Sequence, residues 1–244
     1  MSVRYRTAGG VARVELDRPP LNILDIATSR ALEKALRQTA SDKSVRVVVL
    51  SGRGKCFSVG ADVADHTKAR VRAMLRAFHG AVRTLYHLPK PTVAAVHGHC
   101  LGGGWELAQA CDLVCASPGS RFGQPEILLG CYSPAAAVML PEQAGGMRAA
   151  EIVLLGETYS VAEARAMGLV SKYPAAYVVK RMLSESGAAL ACAKMALRTS
   201  TAAGFEKALK ASERIYFDRL ARTRDMDEGV RAFMGKRKAV WRHA

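Results

Sequence analysis

The sequence predicts an α/β fold that gives way to a helical C-terminal part. Three observations predict it. Short apolar, β-branched or alternating runs recur at residues 11–16, 45–50 and 92–96. Amphipathic helical patterns separate them, at 25–39 and 70–88. Strand-like signals then fade after about residue 130, and helix-rich stretches follow.

In chain order, residues 11–16 alternate as a half-buried strand, and Asp17-Arg18-Pro19-Pro20 ends the pattern. Residues 25–39 gather Leu32, Ala35 and Leu36 on one helix face and Arg30, Glu33, Lys34 and Arg37 on the other. Residues 45–50 are apolar throughout the valine run, which fits a buried strand. A loop at 51–55 leads through Gly60 into a polar segment. Residues 70–88 space Met74, Leu75, Phe78, Val82 and Leu85 as a helix until Pro89-Lys90-Pro91 breaks it. Residues 92–96 form a second buried-strand candidate, 105–111 a helix and 113–116 a strand. From Arg148 onward the chain reads as mostly helical, with helices expected around 188–197, 205–222 and 227–240. The expected division is an α/β body over 1–172 and a helical region over 173–244.

A chain of 244 residues, half of them hydrophobic, can bury one large core or two modest ones. The first residues contain no apolar leader and no apolar stretch is long enough to span a bilayer, so a cytoplasmic protein is expected. The six cysteines include no Cys-x-x-Cys pair, and buried free thiols are expected. Cys111 and Cys115 could share one helix face, but no His or acidic pattern accompanies them, so no metal is expected. A net charge of +15 fits an anionic partner: nucleic acid, anionic membrane or a phosphate-rich small ligand. The basic residues are scattered, Lys236-Arg237-Lys238 being the tight run, and 6% aromatic content offers little for base stacking. Both points argue against nucleic acid.

The chemistry concentrates around two glutamates. Glu106 ends the run Leu101-Gly102-Gly103-Gly104-Trp105-Glu106, and Glu126 ends Phe122-Gly123-Gln124-Pro125-Glu126. Glycines before a helix expose N–H groups that favour negative charge. A second turn, Ser58-Val59-Gly60-Ala61-Asp62, lies upstream after another strand. One N–H from each turn would make an oxyanion hole, worth about 3 kcal/mol per donor in the transition state. Glu106 sits in an apolar stretch, where a carboxylate has a raised pKa or a partner. With Glu126 it can form an acid/base pair sharing a water, with coupled titration. The plainer alternatives are two ordinary loops, a surface helix glutamate and a helix-terminal carboxylate. His97 and His99 read as structural or pocket-lining, and His66 as a surface-loop group. No Gly-x-Ser-x-Gly elbow, Walker loop or dinucleotide fingerprint is present.

Taken together, these motifs closely resemble the crotonase (enoyl-CoA hydratase/isomerase) superfamily over nearly the whole chain. The resemblance also runs through Lys90-Pro91-Thr92-Val93-Ala94-Ala95-Val96-His97-Gly98, Ala166-Met167-Gly168-Leu169-Val170 and Glu228-Gly229-Val230-Arg231-Ala232-Phe233. It implies a spiral of ββα turns with a helical C-terminal trimerisation region, and trimers or hexamers. It implies an acyl-CoA thioester substrate, with CoA part of the substrate and no separate cofactor. The Ala61 and Gly103 amides match the oxyanion hole, Glu106 the carboxylate that activates water, and Glu126 the one that protonates the α-carbon. Leu21, Asn22, Ile23, Ser58, Gly60 and Asp62 match the CoA channel, and Lys236 a contact to CoA phosphates.

The runs at 18–27 and 60–67 look like those of cyclohexa-1,5-diene-1-carbonyl-CoA hydratases. Three departures bear on the site. Cys131-Tyr132-Ser133-Pro134 replaces a glycine-rich turn, which should reshape the acyl pocket. Trp105 replaces a smaller residue beside Glu106. The segment from 170 to 191 is shorter than usual in the family. The competing expectations are a Δ3,Δ2-enoyl-CoA isomerase, which can work with one carboxylate, and a non-catalytic CoA- or RNA-binding protein.

Overall fold

A computed structural model describes residues 2–199 and 201–243. The body opens with a hairpin, β1 (Val3–Ala8) and β2 (Val11–Leu16), then α1 (Ile26–Ser41) and β3 (Val47–Gly52). It continues through α2 (Val71–Tyr86), β4 (Thr92–Val96), β5 (His99–Leu101), α3 (Gly103–Ala110), β6 (Leu113–Ala116) and β7 (Arg121–Gly123). A 3₁₀ turn, Pro125–Leu129, precedes α4 (Pro134–Ala144) and α5 (Gly146–Leu155). The chain ends with β8 (Thr158–Ser160), α6 (Val161–Ala166), α7 (Ala175–Leu183), α8 (Gly187–Thr199), α9 (Ala202–Asp218) and α10 (Arg224–Met234).

Five strands form one sheet in the order β1-β2-β3-β4-β6, parallel apart from the β1–β2 hairpin. Val14, Leu50, Ala94 and Val114 are partners across four strands, and all four are buried in the main core with α1, α2 and α3. The alternate residues Val47, Val49, Val93 and Cys115 point to the other face, where Val178 and Val179 of α7 cover them. Both faces are therefore buried, which is why β3, β4 and β6 read as valine and alanine runs without polar alternation. A second sheet, β5-β7-β8, stands beyond the first.

The C-terminal helices share the core of the body. Phe205 and Leu209 of α9 lie in the main core, and the Phe205 ring stacks on Tyr86 of α2 at 4.0 Å. Asp112 accepts from Lys194 and Arg198 of α8. The expectation for Cys111 and Cys115 is corrected. Cys111 ends α3 and Cys115 lies on β6, so they share no helix face, and five of the six thiols are buried while Cys192 is exposed. The strands β1 and β8 had no clear sequence signal. Among the described residues, no helix is long and apolar enough to cross a membrane.

Candidate active site

Parallel bridges bring two turns together. The loop after β3 pairs Ser58 with Cys100 and Ala61 with Leu24. Leu24 N donates to Gly60 O at 2.9 Å, and Asp62 N to Leu24 O at 3.3 Å. Extended backbone alternates its polar groups, so the Ala61 N–H faces away from Leu24, towards the start of α3. There, Gly102 N is spent on Gly123 O at 2.9 Å, and Gly103 opens the helix. The two segments abut: a methyl at Gly103 would come within 3.3 Å of Ala61 N. Among the described residues, neither the Ala61 nor the Gly103 amide donates a hydrogen bond. Two convergent free donors at a helix N-terminus suit one oxygen that gains negative charge. Gly60, at φ +95°, is required here because a Cβ would lie 2.8 Å from Gly103 N.

Both carboxyls border this cradle. Glu106, one turn into α3, is buried, and its Oε1 accepts from Ala135 N and Ala136 N, each at 2.9 Å. Those are the first free amides of α4, because Pro134 has no N–H and the Ser133 hydroxyl donates to Gln124 Oε1 instead of capping. Glu126 arrives from the other side. The parallel pairing of Leu101 with Gly123 sets the Pro125–Leu129 turn above Gly102. A Cβ on Gly102, which has φ +52°, would lie 2.3 Å from Glu126 Oε1. Glu126 Oε2 is buried without a hydrogen-bond partner among the described residues.

Burial raises Glu126 to about 7, against the pull of the Ser133 hydroxyl. Burial, with the Glu126 charge added, raises Glu106 to about 8, against the pull of the two α4 amides. The steps belong to the pair, which retains a proton near neutrality. The two α4 amides favour an ionised Glu106, while the lower value of Glu126 pulls the other way, so the retained proton is shared by the pair and not fixed on one carboxyl. The result is a base, an acid and an oxyanion cradle in one place.

The other residues singled out from the sequence divide. Leu21 is exposed and Ile23 half-buried at the edge of the cradle, with Gly60 beneath. Asp62 caps a short turn by accepting from Ala64 N. Lys236 is exposed on the tail after α10. The side chains of Asn22 and Ser58 turn to the backbone behind the cradle. Both are fully buried, and the Asn22 amide donates to the carbonyls of Arg53, Cys56 and Phe57. The Ser58 hydroxyl donates to Asn22 O and accepts from Gly60 N. They fasten the cradle from behind. Trp105 is likewise a core residue, packed against Phe122 and Tyr159. Its bulk points away from Glu106 because neighbouring helix positions face different sides. Pro134 is buried and contributes by opening α4, and the Tyr132 hydroxyl is spent on Ser212 O at 2.7 Å. The amides of Ala135 and Ala136 were missed, although Ser133-Pro134 is a legible helix start.

Comparison with known proteins points to one family. The family model for enoyl-CoA hydratase/isomerase matches residues 6–244. The chain is 35% identical to a cyclohexa-1,5-dienecarbonyl-CoA hydratase of Thauera aromatica, covering 96% of this chain and 93% of that one. It is 36% identical to a 2,3-dehydroadipyl-CoA hydratase of Escherichia coli (strain K12), covering 93% of each. The crystal structure of an enoyl-CoA hydratase from Mycobacterium avium subsp. paratuberculosis K-10 superimposes with a TM-score of 0.88 at 30% identity, covering 99% of this chain and 98% of that one.

Proposed function

The chain belongs to the enoyl-CoA hydratase/isomerase family, and on that premise we propose that it adds water across the double bond of an α,β-unsaturated CoA thioester. The thioester oxygen accepts from the Ala61 and Gly103 amides. Glu106 takes a proton from water as its oxygen bonds the β-carbon, and the electrons pass to the thioester oxygen as an enolate. The enolate collapses as Glu126 gives its proton to the α-carbon. The observation that carries this proposal is the convergence of two free amides, the buried Glu106 and the half-buried Glu126, both carboxyls having raised pKa values.

We favour a cyclic dienoyl thioester as the substrate. Support comes from the similarity to the Thauera protein and from the wall beside Ala61, where Met74, Met226, Tyr132 and Tyr216 form a compact apolar cluster. CoA itself carries phosphates that suit part of the +15 charge. We further propose a homo-oligomer, a trimer or hexamer. Leu128, Leu154, Leu155 and Phe233 stand exposed around a cavity of about 600 Å³, an apolar surface of the kind that marks an interface. Light scattering after size exclusion tests the assembly.

A panel of linear and cyclic enoyl-CoA thioesters tests the reaction. The expected product is heavier by one water, with the cyclic dienoyl substrate turned over fastest. A product of unchanged mass with a moved double bond would replace hydration by isomerisation.

A further inference from the structure

The wall of the acyl side carries a hydroxyl that the reaction above does not use. Tyr216 of α9 is 1% exposed, and its hydroxyl has no hydrogen-bond partner among the described residues. A buried phenol ordinarily finds a partner, because leaving it unbonded forfeits its hydration. Its neighbours are Val71, Met74, Leu75, Cys131 and Met226, with Ala61 of the oxyanion cradle at the edge of the same cluster. Tyr132 lies 5.4 Å away, ring to ring, but its own hydroxyl is spent on Ser212 O.

The second orphan is Glu126 Oε2. Cys131 stands between the two. Its thiol donates to Glu126 O at 3.4 Å, and its side chain packs in the Tyr216 cluster. At the start of α4, Pro134 lacks an N–H and the Ala135 and Ala136 amides are held by Glu106. Burial, with the Cys131 thiol beside it, pushes the Tyr216 phenol well above its ordinary value, so its hydroxyl keeps its proton at working pH.

We propose that Tyr216 is a positioning residue for Glu126: its hydroxyl donates to the same water or hydroxyl oxygen that Glu126 Oε2 bonds, and so holds the carboxyl over the α-carbon. This rests on the hydratase reading. The other titratable groups around Glu126 are Glu106 from α3, Cys131 and Tyr132 from the following loop, and Asp225 and Glu228 from α10. Asp225 and Glu228 are committed to the tail, Asp225 to the Arg242 and His243 amides and Glu228 to Arg237 and the Val240 amide.

Tyr216→Phe tests the proposal, with Tyr86→Phe as control, a buried phenol on α2 whose hydroxyl pairs with the Thr201 hydroxyl at 2.9 Å. A donor near a carboxylate favours the anion, so its loss raises the Glu126 pKa. In Tyr216→Phe, kcat for hydration is expected to fall about tenfold with KM changed less than about threefold. The Glu126 carboxyl band, followed by infrared titration of the free enzyme, should shift to higher pH. Tyr86→Phe should leave both in place. If Tyr216→Phe titrates and turns over like the parent enzyme, the positioning role is wrong and hydration stands. If the parent enzyme hydrates no thioester while the infrared shift persists, the contact to Glu126 stands and the reaction assignment falls.

Discussion

Two sets of helix starts in this molecule behave differently. At α1, α6 and α10 the residue before the helix caps it in the ordinary way. Asp25 accepts from Thr28 N, Ser160 forms a capping box with Glu163, and Thr223 accepts from Met226 N. At α3 and α4 the preceding residues, Gly102 and Ser133, make no side-chain cap. The Gly103 amide is left free, and those of Ala135 and Ala136 go to a carboxylate from a distant part of the chain. Starts without a side-chain cap also occur at α2, α5, α7 and α9, so what sets α3 and α4 apart is where their first amides point: to an open cradle and to a buried carboxyl.

The largest test removes the carboxylate that joins α3 to the start of α4. Glu106→Gln keeps an oxygen for the α4 amides but cannot act as a base, so hydration should fall roughly 100- to 10,000-fold with the fold intact by circular dichroism. Glu126→Gln should fall by a similar factor through loss of the acid. A Glu106→Gln enzyme that still moves double bonds at the parent rate would mean that α4 is merely capped from afar. A smaller loss, roughly 100-fold in kcat/KM, is expected for Gly102→Ala, because the methyl would meet Glu126 Oε1 at 2.3 Å where φ is +52°. Retained activity in that variant would show that Glu126 need not approach the glycine turn.

Much of this was legible in the sequence, for reasons that differ by element. The strands β3, β4 and β6 were visible because both faces of their sheet are buried there, which forces valine and alanine runs, and β2 because it alternates, with Arg13 exposed. Helices α1 and α2 were visible because one face meets the core and the other meets water. The strand β1 was not, because its burial falls from Val3 towards an exposed end and leaves no alternation. The glycine run marked the oxyanion cradle, since close approach of two backbones excludes side chains. The side-chain directions of Asn22, Ser58 and Trp105 were not legible, because adjacency to a motif says nothing about which way a side chain points. Tyr216 carried no signal: its proximity to Glu126 is made by α9 folding back across 90 positions of chain (216 − 126 = 90).

The two carboxyls also dictate pH behaviour. With carboxyl values of about 7 and about 8, hydration should follow a narrow bell between them. Below it both groups are protonated and no base remains; above it both are ionised and no acid remains. Stability should run in one direction. Both groups bind protons more tightly when folded than their ordinary value of 4.5, so the fold loses stability as pH rises from there through the folded values. Glu106→Gln removes that loss. Its melting temperature should exceed the parent's by more at about pH 8.5 than at about pH 5. An equal gap at both would mean that Glu106 is not held against its burial.

The smallest effect belongs to the ordinary helix starts, and it closes the comparison from the other side. Asp25 accepts from Thr28 N at 2.7 Å and pairs with Arg18 at 3.2 Å. Its pKa is lowered by those contacts in spite of burial, so it is ionised at neutral pH and its cap is intact there. Asp25→Ala should cost about 1 kcal/mol by denaturant titration and leave kcat within about twofold. Ser133→Ala precedes a helix too, yet its hydroxyl supports Gln124 and lies by Glu126, so it should cost less stability and move the Glu126 titration upward instead. If the two variants behave alike, losing stability with no change in titration, then α4 is an ordinary helix start and the distinction drawn between the two sets disappears.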